Sequence, residues 1–309
     1  MDKIFVLLIA LALDLVFSEP VNKWHPIAWL GKLISGEIRF APQNSVLKQL
    51  AYGAGMVLVT LGLIVTATYF LLSLLSEFNV PVYLIISGIL LKFTFSLRGL
   101  NQAVKSVGSC LTAANLKQAR LRLKSLVSRD TAKLNRNQVI SAATESAAEN
   151  ICDSFTAPLF YFFIFGVAGA IAYRAINTFD SMIGYHGKYE YLGKFAARLD
   201  DIANFIPARL TALFIVLAAA ICRQNTAKAW RIMIRDHKNT ESPNAGWPMS
   251  AVAGALQVQL EKVDHYRLGD NSSPLSLSVI DTSRQIIMVT AISWCSIFLL
   301  AEVIYLVVT

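Results

Sequence analysis

Acidic side chains in the middle of the chain recur at spacings that could bind a divalent metal or move a proton. Glu145, Glu149 and Asp153 follow one another at intervals of four residues, which places them along one face of a helix. Nothing basic lies between them, so a metal ion, an Arg or Lys from elsewhere, or bulk water must balance their charge. Three more acids occupy the next polar stretch: Asp180, Asp200 and Asp201.

Each acid on its own has a simpler explanation in a helix cap or a local ion pair, such as Arg198 with Asp201. Six acids beside apolar runs are harder to explain in this way, so we interpret them as a metal or substrate site. Oxygen ligands from carboxylates and amides suit Mg²⁺, which usually takes one or two carboxylates together with phosphate oxygens. His25 lies in a Pro-bounded loop, where it could act as a general base or bond to the backbone; both interpretations stay open.

The composition predicts that these polar residues belong to a membrane protein. Hydrophobic residues make up 55% of the 309 residues and charged residues 16%, against about 25% charged in soluble domains. A chain this apolar needs lipid to cover part of its surface. The composition excludes intrinsic disorder, and the four scattered cysteines exclude a disulfide scaffold. The net charge of +8 is more typical of cytoplasmic loops than of nucleic-acid binding.

Apolar runs predict an all-α fold with about five membrane-spanning helices, because backbone polar groups must be paired within lipid. Residues 4–17 are interpreted as a retained first helix rather than a cleaved signal peptide. Asp14 within this helix is either a buried functional acid or a solvated side chain near the interface. The other predicted spans are residues 50–76, 81–97, 207–222 and 285–308.

A further apolar run, residues 155–173, is ambiguous. Its 19 uncharged residues are enough for a span. Pro158 lies near its start, however, and Gly166 and Gly169 interrupt its middle, where each glycine weakens a helix by about 1 kcal/mol. The run either crosses the membrane or forms a re-entrant helical hairpin. A hairpin leaves the polar motifs before and after it in one compartment, whereas a span separates them.

Charge asymmetry predicts part of the topology. The segment from Lys92 to Asn150 carries ten Lys and Arg residues, whereas the connection at 77–80 has none. The positive-inside rule therefore places 98–150 in the cytoplasm and the N-terminus outside. We predict one integral-membrane domain over residues 1–309, with its polar catalytic segments at 98–154, 174–206 and 223–284.

Polar motifs in a fixed order along the chain resemble those of a known family. The motifs are Asp14, Glu19-Pro20, His25-Pro26, Ser128-Arg129-Asp130-Thr131, Glu145-Ser-x-x-Glu149-Asn150, Ala157-Pro158-Leu159-Phe160-Tyr161, Tyr173-Arg174-Ala175-x-Asn177-Thr178-x-Asp180-Ser181-Met182, Arg198-Leu199-Asp200-Asp201-x-Ala203-Asn204, Pro207-Ala208-Arg209-Leu210 and Ser242-Pro243-Asn244-Ala245-Gly246-Trp247-Pro248. Over residues 11–270 this pattern is similar to that of the CobD/CbiB family, the cobalamin biosynthesis proteins that act as adenosylcobinamide-phosphate synthases. One departure is Ser18-Glu19-Pro20, where the family usually has Gly-Asp-Pro, so the carboxylate is kept on a side chain one methylene longer.

The resemblance implies a multi-pass enzyme of the cell membrane. Its reaction would be an ATP- and Mg²⁺-dependent condensation of adenosylcobyric acid with (R)-1-aminopropan-2-ol O-phosphate, or with the free amino alcohol, to form an amide. The expected partners are these substrates, ATP, the lipid bilayer and other membrane enzymes of the same pathway, without nucleic acid. No P-loop motif occurs, so ATP would bind without that cradle.

Residue roles are carried over as hypotheses. The expected catalytic residues are Glu145, Glu149, Asp180, Asp200 and His25, and the expected metal ligands are Glu149, Asp153, Asp180 and Asp201. Arginines could hold phosphate groups bidentately, and the 242–248 segment, expected to be a structured loop, would help His25 to hold the corrinoid. The expected substrate-binding residues are Asp14, Glu19, Arg129, Asn150, Arg174, Asn177, Arg198, Asn204, Arg209, Asn244 and Trp247.

Two other function classes remain as alternatives. One is a non-catalytic membrane sensor similar to the AmpE-like proteins, which share parts of this architecture. The other is a transporter that uses Asp14 and Glu302 as intramembrane charges. The absence of inverted repeats from the sequence and the large polar loops weigh against a transporter.

Overall fold

A computed structural model describes residues 2–17, 25–185, 187 and 189–308. Within these residues the chain forms twelve α-helices, one π-helical turn and a two-stranded sheet, so the all-α prediction is confirmed. The elements are α1 (Asp2–Val16), α2 (Pro26–Ile38), α3 (Val46–Phe78), α4 (Val80–Lys92), α5 (Leu97–Thr112), α6 (Leu116–Leu123), α7 (Arg136–Ile151), the π-helical turn (Cys152–Thr156), α8 (Ala157–Ile183), α9 (Lys194–Ile221), α10 (Thr226–Asp236), α11 (Gly246–Leu256), β1 (Leu260–Lys262), β2 (Tyr266–Leu268) and α12 (Leu277–Val308).

Five helical stretches of the described residues are long and apolar enough to cross a membrane, as the sequence predicts. Helix α3 contains the predicted span 50–76, and α12 contains 285–308. Helix α1 has only 15 residues and falls short of a full crossing. The five stretches are Val46–Phe78, Val80–Thr112, Arg136–Ile183, Lys194–Ile221 and Leu277–Val308.

The chain divides into two compact units, each with more contacts within itself than with the other. Unit 1 comprises Met1–Ser96, Ala157–Asn204 and Tyr305–Thr309. Unit 2 comprises Leu97–Thr156 and Phe205–Ile304. The single integral-membrane domain remains a prediction.

The core of unit 1 forms where α2, α3, α8 and α9 pack together. Ile34, Val57 and Phe179 are fully buried at its centre. Ser45 caps the start of α3 and Asn79 the start of α4, each accepting a backbone N–H of the first turn. Close packing of these apolar side chains holds the polar residues of α8 and α9 in place.

Helix α8 is a hairpin of two helical segments that reverses at Gly166. This residue has φ +70° and ψ −162°, a conformation that only glycine adopts readily. The rings of Tyr161 and Tyr173 stack with their centroids 5.3 Å apart, although twelve residues of straight helix would span about 18 Å. The chain therefore turns back within the apolar run, as one of the two sequence interpretations predicts.

Unit 2 is built around α7, whose small side chains let neighbouring elements approach closely. Ala142, Ala143, Ala147 and Ala148 are fully buried. Asn135 and Gln138 form a reciprocal capping box at the start of α7. At the other end a π-helical turn takes over from Cys152, so Asp153, the third of the predicted row of acids, lies in that turn just beyond α7.

The polar stretch that begins unit 2 is amphipathic, as its spacing predicts. Leu100, Val104, Val107 and Leu111 recur at helical spacing in α5, and all four are buried. Helix α5 packs against α6 and α7. The short β1–β2 hairpin also packs on unit 2, with β1 against α7 and β2 against α11.

The hairpin in α8 requires glycine at Gly169. A Cβ atom there would lie 2.6 Å from the carbonyl oxygen of Tyr161 and 2.5 Å from Cβ of Phe165, both on the opposite segment. We expect Gly169→Ala to lower the thermal stability of the detergent-solubilised protein, by about 1–3 kcal/mol, because the two segments must move apart. Gly62→Ala is the matched control, since a Cβ at Gly62 meets no atom within 4 Å. Equal melting temperatures for the two variants would contradict the hairpin.

Candidate functional site

Glu145 is the buried anion of unit 2, with 3% of its surface exposed. Its carboxylate forms an ion pair with Arg129, at 3.1 Å between Oε2 and Nη2. The Tyr266 hydroxyl donates to the same oxygen at 3.0 Å, and the Ser141 hydroxyl donates to Oε1 at 2.6 Å. An arginine from elsewhere in the chain thus balances the charge of Glu145, which was one of the three alternatives left open by the sequence.

The Glu145 cluster also anchors the β hairpin to α7. The backbone N–H of Glu261 in β1 donates to the Ser141 hydroxyl at 2.8 Å. Tyr266 lies in β2, where burial and then the negative charges of Glu145 and Glu149 raise the pKa of its hydroxyl well above the usual range. The hydroxyl therefore stays protonated and available as a donor to Glu145.

The two residues that follow in the motif have different surroundings. Glu149 and Asn150 are half-buried, one turn further along α7 than Glu145. The side-chain amide of Asn150 donates to both the carbonyl and the hydroxyl of Ser146, each at 2.9 Å. Glu149 is thus the α7 carboxylate of this motif with access to solvent.

An open polar cleft of about 780 Å³ runs along the β hairpin. Tyr266 lines it and connects it to Glu145. Backbone and side-chain polar groups dominate its wall, and its lining residues are Gln138, Asn239, Glu261, Lys262, Val263, Asp264, His265, Tyr266 and Arg267.

In unit 1, Asp200 is the centre of a second polar network, which joins α8 to α9. Its carboxylate accepts hydrogen bonds from the amide groups of Asn204 at 2.9 Å and Asn177 at 3.5 Å. The Tyr173 hydroxyl donates to the amide oxygen of Asn204 at 2.8 Å, and Arg174 donates to that of Asn177 at 3.2 Å. Both amides are therefore oriented with their N–H groups towards Asp200. The contact between Asp200 and Asn204 agrees with the prediction that these two residues share a helix face.

Asp180 of α8 is a second acid whose charge acts on this network. Its negative charge acts on Asp200 more strongly than that of Asp201. A Cβ atom on Gly184 would collide with the Asp180 carboxylate, so the glycine leaves room for that group at the end of α8. Asp201 faces away and pairs with exposed Arg198 at 3.7 Å, the local ion pair that the sequence offers as the simpler explanation.

Three predicted substrate-binding residues come together in unit 2. Arg209 of α9 donates to the side-chain oxygen of Asn244 at 3.3 Å. Its guanidinium carbon lies 3.6 Å from the ring centroid of Phe205 and 4.8 Å from that of Trp247. The expected 242–248 loop is only partly a loop, because α11 begins at Gly246. Pro248 occupies the first turn of α11, where a backbone N–H would have no partner within the helix, so a proline is tolerated there.

Other predicted site residues have structural partners. Asp14 is buried and pairs with Lys92 of α4 at 3.0 Å, so the interpretation of a solvated Asp14 is wrong. His25 caps α2, its Nδ1 accepting the backbone N–H of Ile27 at 3.2 Å. Glu19 lies outside the described residues.

Comparison with models of known protein families identifies one family over most of this chain. The model of the CobD/Cbib protein family matches residues 7–289. The chain belongs to the CobD/CbiB family. The resemblance found in the polar motifs is therefore confirmed.

Relatives in the CobD/CbiB family match the chain over almost its whole length. It is 50% identical to the cobalamin biosynthesis protein CobD of Dehalococcoides mccartyi, over 95% of this chain and 96% of that one. It is 42% identical to the probable cobalamin biosynthesis protein CobD of Methanothermobacter thermautotrophicus, over 87% and 88%. The corresponding protein of Citrobacter koseri is 40% identical over 90% of each chain. No solved structure matches the chain significantly.

Several residues that shape these CobD/CbiB clusters were missed by sequence reasoning. Tyr266 and Ser141 hold Glu145, Lys92 neutralises Asp14, and His237 stacks on Trp247 with ring centroids 3.9 Å apart. Ser141 lies four residues before Glu145, a spacing that could have indicated it. Tyr266 lies 121 residues beyond Glu145 and carries no local signal.

A magnesium ion in unit 1 stays a prediction, for which Asp180 and Asp200 are the candidate carboxylates. Within either unit, the described residues contain no group of three or more His, Cys, Asp and Glu side chains placed to hold a metal. Mg²⁺ needs only one or two carboxylates when phosphates and waters supply its other ligands, and Asp180 with Asp200 provides two. Glu149 and Asp153 belong to unit 2, so the predicted ligand set of Glu149, Asp153, Asp180 and Asp201 stays a prediction.

Glu145 is expected to stabilise the fold through its charge. We expect Glu145→Gln to lower the stability of unit 2 by up to about 3–5 kcal/mol, because Arg129 would keep a buried charge without its counter-ion. Glu261→Gln is the control, since Glu261 is only half-buried and its pair with Arg267 is 3.5 Å long. The measurement is the melting temperature in detergent. A Glu145→Gln variant as stable as the control would contradict this role.

The link between α10 and the β hairpin is expected to depend on pH. Burial alone would raise the pKa of the Asp236 carboxyl, but hydrogen bonds from Arg235 and from the Gly269 amide outweigh it and hold this pKa below its usual range. The stabilisation is therefore present above about pH 4, the ordinary Asp value, and is lost as pH falls through the lower folded pKa. We expect Asp236→Asn to reduce the acid sensitivity of the melting temperature, whereas Asp281→Asn, at an exposed pair, should leave it unchanged.

Proposed function

We propose that this chain is the cobalamin-pathway ligase that joins adenosylcobyric acid to (R)-1-aminopropan-2-ol O-phosphate at the expense of ATP. The product is the amide adenosylcobinamide phosphate. Membership of the CobD/CbiB family and the names of its relatives support a role in cobalamin biosynthesis. The observation that carries the ligase proposal is the network in which Asp200 and Asp180 lie beside Asn177, Asn204 and Arg174.

Amide formation from a carboxylate requires a better leaving group than oxide. In the proposed reaction a carboxylate oxygen of the corrin acid attacks the γ-phosphorus of ATP, and the bond from that phosphorus to ADP breaks. The amine nitrogen then attacks the acyl carbon, the bond from that carbon to phosphate breaks, and a base accepts one proton from nitrogen. Phosphoryl transfer of this kind depends mainly on positioning and charge neutralisation.

Asp180 and Asp200 would hold the magnesium ion of Mg–ATP. When bound, the ion would neutralise the charge that develops on the phosphate oxygens. Asn177 and Asn204 keep the Asp200 carboxylate in one orientation through their amide N–H groups. Arg174 donates to Asn177 from the same network and is positioned to add a cation beside the phosphates.

Within unit 2, the α7 motif offers a candidate base and a fixed cation. Glu149 is the better candidate for the base, because it is half-exposed and its neighbour Glu145 already binds three donors. Glu145 would then act as a positioning residue for Arg129 and Tyr266. The polar cleft lined by Tyr266 suits a corrinoid, whose periphery carries many amides.

We further propose that the protein is a multi-pass protein of the cell membrane with its polar segments on the cytoplasmic side. The apolar stretches support insertion in a membrane, and the ten cations between Lys92 and Asn150 support the sidedness. Corrinoid and ATP would then meet the enzyme from the cytoplasm.

Asp180→Asn and Asp200→Asn are expected to lower amide formation at least about 100-fold while the protein still accumulates in membranes, because each variant keeps the side-chain shape but loses a metal-binding charge. The assay uses the purified protein with both substrates, ATP and Mg²⁺. Asp281→Asn, at a surface ion pair outside the site, should retain full activity.

Two results would contradict the proposal. Normal turnover in both aspartate variants would remove the proposed metal site. Failure of the unaltered chain to restore cobalamin-dependent growth to a strain lacking the synthase would remove the ligase function, and would favour the sensor or the transporter.

A further inference from the structure

We infer that Arg209, Trp247 and the start of α11 form the binding site for the phosphate monoester of the amino substrate. The inference rests on the proposed function, which it deepens by naming the substrate group that this part of unit 2 recognises. The site would make the enzyme select the phosphorylated amino alcohol over the free one.

Arg209 is a cation without a counter-charge. Among the residues that the structure describes, no carboxylate lies within ion-pair distance of its guanidinium. It lies in α9, a stretch apolar enough to cross a membrane, with Phe205 and Ile206 exposed on the preceding turn. An ionised side chain in such a position is costly unless an anion balances it.

The guanidinium is fixed so that one edge remains open. Its Nη1 donates to the Phe205 carbonyl oxygen and to the side-chain oxygen of Asn244. Its carbon lies over the rings of Phe205 and Trp247. Within the described residues Nε and Nη2 have no acceptor, and this edge presents two parallel N–H donors with the spacing of two phosphate or carboxylate oxygens.

Trp247 adds a third donor and is itself held in place. Its indole N–H is buried and has no acceptor among the described residues. The ring stacks on His237 at 3.9 Å between centroids, and His237 is anchored through Nδ1 to the carbonyl oxygens of Met233 and Ile234. The indole therefore cannot turn freely towards another acceptor.

An edge of two donors, an unsatisfied N–H on the neighbouring Trp247 and a helix terminus fit a phosphate better than a carboxylate. A carboxylate has two oxygens, which the open edge of Arg209 alone would satisfy, whereas a phosphate monoester has three terminal oxygens and up to two negative charges. Helix α11 begins at Gly246, next to Trp247, so the positive end of its dipole adds to the field. Of the proposed substrates, ATP and the aminopropanol phosphate both carry a terminal phosphate. Because the acids of unit 1 are proposed to hold Mg–ATP, we assign this site to the aminopropanol phosphate.

The test measures binding to the purified full-length protein in a neutral maltoside detergent, without ATP or corrinoid. Calorimetric titration with (R)-1-aminopropan-2-ol O-phosphate should show binding, and titration with the free amino alcohol should show binding at least about 10-fold weaker. Arg209→Gln should weaken binding of the phosphate ester at least about 10-fold. Arg209→Lys keeps the positive charge, so it serves as a second variant in case Arg209→Gln misfolds. It should weaken binding of the phosphate ester several-fold because the bidentate edge is lost.

Arg122→Gln is the matched control, because it removes one exposed cation from α6 of the same unit. Its binding of the phosphate ester should equal that of the unaltered protein. Equal binding by the Arg209 variants would overturn the inference.

A phospholipid headgroup also carries a phosphate monoester, so binding of lipid at this site is tested in a separate competition experiment. Short-chain phosphatidic acid, added as a competitor below its critical micelle concentration, should displace the amino alcohol phosphate poorly. Binding of phosphatidic acid at Arg209 without binding of the amino alcohol phosphate would assign the site to lipid and overturn the inference. Loss of phosphate selectivity with amide formation intact would overturn the inference alone, whereas absence of amide formation with phosphate binding intact would overturn only the proposed function.

Discussion

The burial of the Glu145 carboxylate is the constraint on which unit 2 depends. A carboxylate with 3% exposure is costly to bury unless a cation or hydrogen-bond donors reach both of its oxygens. Arg129, Ser141 and Tyr266 meet this requirement, and each comes from a different element: the loop before α7, α7 itself and β2. Satisfying one charge therefore fixes three segments of the chain relative to one another.

The need to pair buried polar groups also explains why the polar side chains of unit 1 form a continuous series of hydrogen bonds. Asp200 is satisfied by two asparagine amides, and the oxygen of each amide is satisfied in turn by Tyr173 or Arg174. An amide carries both donors and an acceptor, so it can pass a hydrogen bond on from one helix to the other. Such a network holds a carboxylate in one orientation without neutralising its charge, which keeps the carboxylate available to a cation.

Local patterns predicted the parts of this fold that depend on neighbouring residues. The uncharged run 50–76 predicted the central part of α3, and Leu100, Val104, Val107 and Leu111 predicted the buried stripe of α5, because helical periodicity and apolar length are local properties. The glycines at 166 and 169 indicated the hairpin in α8 for the same reason. The pairing of Asp200 with Asn204 also followed from spacing alone.

What escaped prediction depends on distant residues or on small changes in helical geometry. No spacing rule connects Tyr266 to Glu145 or Lys92 to Asp14, since these pairs form only when the chain folds. The π-helical turn that begins at Cys152 contains Asp153, and it has no sequence signature that separates it from an α-helix. The roles of Glu149, Asp180 and Arg209 in chemistry rest on proposals, because charge and geometry describe what a site can bind and not what it converts.

The Asp14–Lys92 ion pair couples two helices that are made at different times. Helix α1 is synthesised before α4, and a buried aspartate without a counter-charge is costly. Its counter-charge at the end of α4 is synthesised 78 residues later. The burial of Asp14 must therefore wait until α4 has been made, so α1 reaches its final packing only together with α4 during biogenesis.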